Sequence, residues 1–411
     1  MKALLLTHNL RDRGSYFRAY EIGRRLAQRG HVVDFGYVSE VKKYRPSVAE
    51  ELWGRGVLRR IEFPHKTLFN DRQEGWGLFD IFWRLLQVFK ERYDFGYAFS
   101  HKPDCILPFL LGRPACSKFV LDWSDWWSGP EGLFQACVLT SAAFQSLPRP
   151  QRLLRRCVFG LEQWWEPRVW RVADAVTLIS SEFFQHPAVA PEELRQKAYV
   201  MHSGAPLEHI LPLDKQEARR RCRLSFPAEA VVFGYVANFH TDEQLLLEAF
   251  ARLLMTRKDA FLLVVGSDFE ATSPAVHESI KHRLLHVGRK PFERIGDYLA
   301  AADVLLLPLS DIALNRARYP HKLSDYVAAG RPLVACDVGE TGRLLARYHI
   351  GLLTEPTAYG FSKGMQSMIE LKDEWENIGA QVREAAEKYF SWDRLCEGLF
   401  SFLEERLSLS F

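Results

Sequence analysis

Apolar positions along the chain take two alternating forms: short unbroken runs, and longer stretches in which they recur every three or four residues. The first run, Lys2–Thr7, predicts a strand. A polar loop over His8–Ser15 follows, then an apolar-periodic helix ending near Gly30, then at once the nearly all-apolar HVVDFGYV. This is a β-α-β unit. Gly30 can take the left-handed conformation that ends helices, and so apolar a strand suits a parallel sheet buried on both faces. DFGYAFS and KFVLDW, separated by HKPDCILPFLLGR, predict two more strands, and AVTLIS at 175–180 another. Past MHSGAPLEHILPL the alternation restarts with an arginine-rich helix, Lys215–Arg223, and the runs AVVFGYV, FLLVVGS, LLHVG, VLLLPL and PLVAC. A glycine and prolines break both periods at Ser203–Asp214, so the domain boundary is placed there. The closing YFSWDRLCEGLFSFLEERL is amphipathic at helical spacing. The pattern predicts two doubly wound α/β domains, with ligands held in a cleft beyond the carboxyl ends of their strands.

Composition narrows the function. At 411 residues the chain is long enough for two cores, and its 47% apolar content can fill them. A formal net charge of +3 with 26% charged residues is no footprint for wrapping nucleic acid. The seven cysteines, at 105, 116, 137, 157, 222, 336 and 396, form no CxxC pair and no cluster at metal-ligand spacing. A reducing cytoplasm fits them. MKALLLTHNL reads as a first strand rather than a signal peptide, and no unbroken apolar run reaches the ~18 residues a spanning helix needs. Residues 76–93 and 150–171 interleave aromatic, apolar and basic positions. Such helices can lie in an anionic membrane interface, or equally serve as core helices with arginines outward.

PHKLSDYVAAGRPLVA, residues 320–335, resembles the nucleotide-sugar motif of GT-B glycosyltransferases, particularly glycosyltransferase family 4. Pro320, Lys322, Asp325, Tyr326, Ala328, Gly330, Pro332, Val334 and Ala335 carry the likeness. Other stretches agree in order. RGHVVDF resembles the family's first β-α-β, ADAVTLISSEF its last N-domain strand, VMHSGAPLE the interdomain crossing, HVGRKPFERIGDYLAAADVLLLPL the base-binding strand and helix, and FSWDRLCEGL the terminal helix. The resemblance covers nearly the whole chain. It implies the GT-B architecture, two Rossmann-like domains facing across a cleft with a C-terminal helix crossing back to the N-domain. The boundaries expected from it are 1–205 for an acceptor domain, 206–390 for a nucleotide-sugar domain, and 391–411 for the returning helix.

A helix starting at Pro320 would turn unpaired N–H groups and partial positive charge outward, which suits a diphosphate. Arg318 and Lys322 would add cationic donors. The resemblance gives Asp325 the ribose hydroxyls. The plain alternative is a surface Lys–Asp pair worth about 0.3 kcal/mol. Ala317 stands where the family has an acid near the donor sugar, leaving Asn315 or Asp311 as candidates for that contact. In GYVANFHTDEQ, Asn238 and His240 occupy the places of a phosphate-binding Arg and Lys, with Arg289 as a further cation. Gly288 and Arg289 follow an apolar strand where the family holds its base through backbone groups, so residue type there does not separate uracil from guanine or adenine.

On the N-terminal side, Gly14 and Ser15 are placed in the loop where the family's backbone nears donor phosphate or acceptor. Arg18 is directed to the same cleft; alternatively, these are a turn glycine and a solvated arginine. No GxGxxG occurs, which argues against a dinucleotide oxidoreductase. FVLDWSDWWSGPEG carries Asp122 and Asp125 among tryptophans, with Ser124 where family members often have a catalytic His. Asp125 is the candidate to orient the acceptor hydroxyl or reacting sugar, with Asp122 behind it, and His101 follows another strand end. Helix caps, core tryptophans and a structural histidine account for the same residues.

The expectation is a cytoplasmic retaining glycosyltransferase, with peripheral contact at the inner membrane face allowed by its helices. It would move sugar from a UDP- or GDP-sugar to a hydroxyl of a glycan or lipid-linked acceptor. Neither a cofactor nor an essential metal is expected. The rival readings are a sugar-nucleotide epimerase on the same scaffold, and a catalytically degenerate nucleotide- or lipid-binding partner subunit, which Ala317 and Ser124 motivate.

Overall fold

The computed structural model describes residues 1–66, 74–129, 131–237, 242–267 and 274–411. Among them the strands of the first sheet are β1 (Lys2–Leu10), β2 (Val32–Val38), β3 (Ser47–Trp53), β4 (Gly56–Phe63), β5 (Tyr93–Ala98), β6 (Cys116–Trp123), β7 (Ala175–Leu178) and β8 (Ala198–Val200). The second sheet is built from β9 (Val231–Ala237), β10 (Ala260–Gly266), β11 (Leu284–His286), β12 (Val304–Leu307), β13 (Leu333–Cys336) and β14 (Leu352–Thr354). Their spatial orders are β3-β4-β2-β1-β5-β6-β7-β8 and β11-β10-β9-β12-β13-β14. Every pairing is parallel except β3 with β4. The chain divides into one compact unit of Met1–His202 with Trp392–Phe411, and a second of Ser203–Ser391.

The unbroken apolar runs became the central strands because helices cover both faces of a parallel sheet. In β1, Ala3 through Leu10 are all buried, and β9 is nearly as enclosed. The edges depart from the run-by-run expectation. β1 extends to Leu10 through residues read as loop, and β3 and β4 form an antiparallel hairpin over residues 47–63 where no strand was expected. An edge hairpin needs one buried face only, so β4 can mix Arg59, Arg60 and Glu62 with the buried Leu58, Ile61 and Phe63. The edge strand β14 was also unexpected; with three residues it is too short to show a period.

The helix Trp392–Leu407 belongs to the first unit, where Trp392, Cys396, Leu399, Phe400, Leu403 and Leu407 share a core with Ile22 and Leu26 of the Tyr16–Gln28 helix. Those positions recur at three- and four-residue spacing, and each fully buried Leu or Phe stabilises the packing by about 1.5–3 kcal/mol. No helix among the described residues is long and apolar enough to cross a membrane.

Candidate functional site

In the second unit the chain leaves β12, makes the short helix Ala313–Ala317, and enters the helix His321–Ala329 from Pro320. Proline suits this start, having no N–H to leave unpaired. The helix ends at Gly330, whose φ of 61° is left-handed. A side chain there would be strained, and would also come within 3.1 Å of Arg383 Cβ. The helix is moored to β9 by the Val236 N–H, which donates to the Tyr326 hydroxyl at 2.9 Å. Ser324 donates to the Ser203 carbonyl at 3.0 Å on another side.

Lys322 and Asp325 both stand on this helix, and the structure does not make them the surface pair that their spacing allows. Lys322 places its ammonium 4.2 Å from the centre of the Tyr235 ring. Asp325 accepts no hydrogen bond among the described residues, and both residues are half-buried. Burial, and then the neighbouring Arg318 guanidinium, push the Lys322 ammonium down to about 7, with Asp242 pulling the other way. Burial pushes the Asp325 carboxyl up to about 7. An uncompensated buried charge shifts toward its neutral form in this way.

Asp242, which the sequence reading did not single out, is the hub beside them. Its carboxylate accepts from the Ser310 N–H at 2.8 Å, Asn315 Nδ2 at 2.9 Å and Arg318 Nη2 at 3.1 Å. Its signal was present as an Asp immediately before the Glu243–Leu253 helix, a common capping position. Asn315 is fully buried, donates also to the Ser310 carbonyl at 2.8 Å, and leaves its own Oδ1 without a protein partner. Arg318 is thus aimed by Asp242. Ala317 is 1% exposed, inside the core, while Asp311 pairs with Arg316 at 2.9 Å.

Asn238 and His240 lie outside the described residues. At the ends of β10 and β11, the Gly266 N–H donates to the Gly288 carbonyl at 3.1 Å. The exposed Arg289 donates to Ser267 Oγ at 2.9 Å. Among the described residues, no atom lies within 4 Å of where a Cβ on Gly288 would stand.

In the first unit, the turn after β1 is closed by Asn9, whose Oδ1 accepts from the Ser15 N–H at 2.9 Å and Ser15 Oγ at 2.8 Å. Gly14 sits at φ 50°, and a Cβ there would come within 2.7 Å of that oxygen. Arg18 and Asp122 were read as separate candidates, but the structure pairs them with each other. Arg18 Nε lies 3.0 Å from both Asp122 oxygens, its Nη2 2.9 Å from Oδ1, and its Nη1 donates to the His202 carbonyl at 2.8 Å. Both are buried, which corrects the alternative of a solvated arginine.

His101 is buried, with Nε2 3.8 Å from the Glu162 carboxylate and its ring centre 5.9 Å from that of Trp127. Lys102 reaches the same carboxylate at 2.7 Å, and Trp76 donates to it as well. Burial opposes ionisation of Glu162, yet Lys102 and His101 hold it down to about 2. Asp125 is half-buried in the segment after β6. The tryptophans around it have internal partners: Trp123 donates to the buried Glu166, and the Trp126 ring lies tilted 4.4 Å from that of His186. Sequence reasoning missed Glu162 and Lys102. Two charges so far apart in the chain carry no local signal. Among the described residues, no three His, Cys, Asp or Glu side chains converge to hold a metal ion.

Residues 230–370 match the family model described as glycosyl transferases group 1. Over 244 residues the chain is 22% identical to TuaH, named as a teichuronic acid biosynthesis glycosyltransferase, of Bacillus subtilis. That match takes in 59% of this chain and 56% of TuaH, so the chain spans little more than half of that relative. Among solved structures, sucrose-phosphate synthase from Thermosynechococcus elongatus matches at 17% identity and a TM-score of 0.71, covering 99% of each chain. Anabaena HepE, solved in complex with UDP and glucose, matches at 15% and 0.65, covering 98% of this chain and 100% of its own. A Rickettsia africae glycosyltransferase matches at 13% and 0.66, covering 100% and 99%. The chain therefore has the GT-B fold, and its residues 230–370 are similar to the glycosyl transferases group 1.

Proposed function

We propose that the protein is a retaining glycosyltransferase that takes its sugar from a nucleotide-sugar donor bound at the start of the His321–Ala329 helix. The observation that carries this reading is the pair Lys322 and Asp325, half-buried on one helix and not spent on each other. A diphosphate would restore the full charge of Lys322, and ribose hydroxyls would donate to an ionised Asp325. Arg318, aimed by Asp242, is the second cation for the diphosphate. Negative charge growing on the leaving diphosphate would meet the helix N-terminus, Lys322 and Arg318, without a role for an essential metal. Because Anabaena HepE is solved with UDP and with UDP-glucose, uridine donors are the first to test. The acceptor is proposed to be a hydroxyl of a glycan or lipid-linked glycan, and the site of action the cytoplasmic side of a membrane.

A second reading keeps the nucleotide and drops the transfer. The core position of Ala317, where the resemblance implies an acid, favours it.

One experiment addresses both. The chain is melted with UDP, GDP, ADP and their common sugar conjugates, and stabilising donors are then incubated with acceptor glycans. The expected result is a raised melting temperature for one nucleotide class, lost in Asp325→Ala, together with sugar transfer. Stabilisation without transfer favours the second reading, and no stabilisation by any nucleotide overturns both.

A further inference from the structure

The first unit exposes two helix faces that its core does not use. On Leu78–Glu91, the large residues Leu78, Phe82, Leu86 and Phe89 are 42–65% exposed. Their three- and four-residue spacing makes them one stripe. On Arg149–Val169, Leu153, Leu161 and Trp164 are 51–66% exposed and form a second. A scattered exposed leucine is ordinary, but two continuous apolar stripes mark a surface that meets something.

The charges say what. The acids of these helices are turned inward or bound: Asp80, Glu162 and Glu166 are buried, and Glu91 is paired with Lys2. Arg84 is buried against Asp80 and Arg155 is paired with Glu74, whereas other bases are turned outward. Arg149, Arg156 and Arg168 are exposed beside the second stripe and form no ion pair among the described residues, and Lys90 and Arg92 stand at the end of the first. Arg168 lies over the Trp164 ring at 5.3 Å, an amphipathic pair suited to an interface. The two helices are linked, since Trp76, just ahead of the first, donates to Glu162 of the second, and Arg155 pairs with Glu74 at 3.1 Å.

We propose that these two faces are a docking surface for an anionic lipid bilayer, with the apolar stripes entering the headgroup boundary and the arginines meeting lipid phosphates. A protein partner would offer acids at particular points. A surface with no exposed acid on either helix, and with exposed bases around apolar stripes, instead complements a continuous anionic plane. The inference does not use the donor site, so it stands or falls separately from the proposed transfer.

The test is flotation of the purified full chain with phosphatidylcholine vesicles, alone or containing about 30 mol% phosphatidylglycerol. Co-flotation with the anionic vesicles alone is expected. It should fall about a hundredfold in partition coefficient in Arg149→Ser/Arg156→Ser/Arg168→Ser, and fall in Phe82→Ser/Leu86→Ser. These are surface positions, so circular dichroism melting should be unchanged. A measurement on an apolar face without a polar substitution is quenching of tryptophan fluorescence by brominated lipid, which should diminish in Trp164→Phe. Absent flotation, or binding equal on both vesicles and indifferent to the arginines, overturns the proposal. So does concentration-dependent dimerisation in light scattering that the Phe82→Ser/Leu86→Ser pair abolishes, since the face would then belong to a second copy.

Discussion

Arg18 grips the carboxylate of Asp122 with Nε and Nη2 at 2.9–3.0 Å, and both side chains lie inside the first unit. Thr177 and, through it, Tyr97 complete the arrangement. Each charge is tolerable there because the other is present. Removing one partner leaves the other buried and unpaired, so Arg18→Ala or Asp122→Ala should cost about 3–5 kcal/mol of stability in urea unfolding. Arg18→Lys should recover little of this, because an ammonium cannot bind both oxygens and the His202 carbonyl together.

Nucleotide affinity should peak near neutral pH. Lys322 binds a diphosphate as the cation, and its proton leaves as pH rises through about 7. Asp325 accepts ribose hydroxyls as the anion, and it gains a proton as pH falls through about 7. Affinity therefore declines on both sides, which calorimetric titration with nucleoside diphosphate from pH 5 to 9 will show. Lys322→Arg should flatten the alkaline limb alone, and Asp325→Asn the acid limb. A monotonic profile in the wild type would exclude one of the two roles.

Asp242→Ala should loosen the donor site without emptying it. The Ser310 N–H, the Asn315 amide and Arg318 all lose their acceptor, for a cost of about 2–4 kcal/mol. Released from Asp242, Arg318 should bind phosphate more weakly, about tenfold by titration calorimetry. Asp242→Asn should recover part of the stability and less of the affinity.

Glu162 makes the first unit sensitive to acid. Its folded carboxyl is held at about 2, below the usual 4.5 of a glutamate, chiefly by Lys102 and His101 against the opposing effect of burial. Its stabilisation is thus present above pH ~4.5 and lost as pH falls through ~2, a difference of about 3 kcal/mol. Compared with wild type, Glu162→Gln should show a stability curve flatter by about that amount between pH 5 and 2. Lys102→Met should unfold more easily at neutral pH, where it strands the carboxylate.

A substitution at Gly330 tests the helix end. Gly330→Ala must hold φ near 61° with a Cβ, and should cost about 1–2 kcal/mol in thermal unfolding.

The central strands of both sheets were legible in residue order. Burial on both faces demands an unbroken apolar run, and β1, β6, β9, β10 and β12 satisfy that demand locally. The edge hairpin β3–β4 was not, because a strand with one wet face tolerates polar residues and loses the run. The stretch around Lys322 and Asp325 was likewise visible, since helix start, cation, acid and terminal glycine all fall within a dozen neighbouring positions and act on one another through the helix itself. How the charges pair was decided only when the chain folded. Arg18 meets Asp122 across 104 positions, Asp242 meets Arg318 across 76, and Lys102 meets Glu162 across 60. Residue order dictates which stretches must leave water, because hydrophobic burial depends on composition over a few residues. It does not dictate which buried charges meet, because the electrostatic cost of each is settled by whichever partner the packed elements bring within a few ångströms.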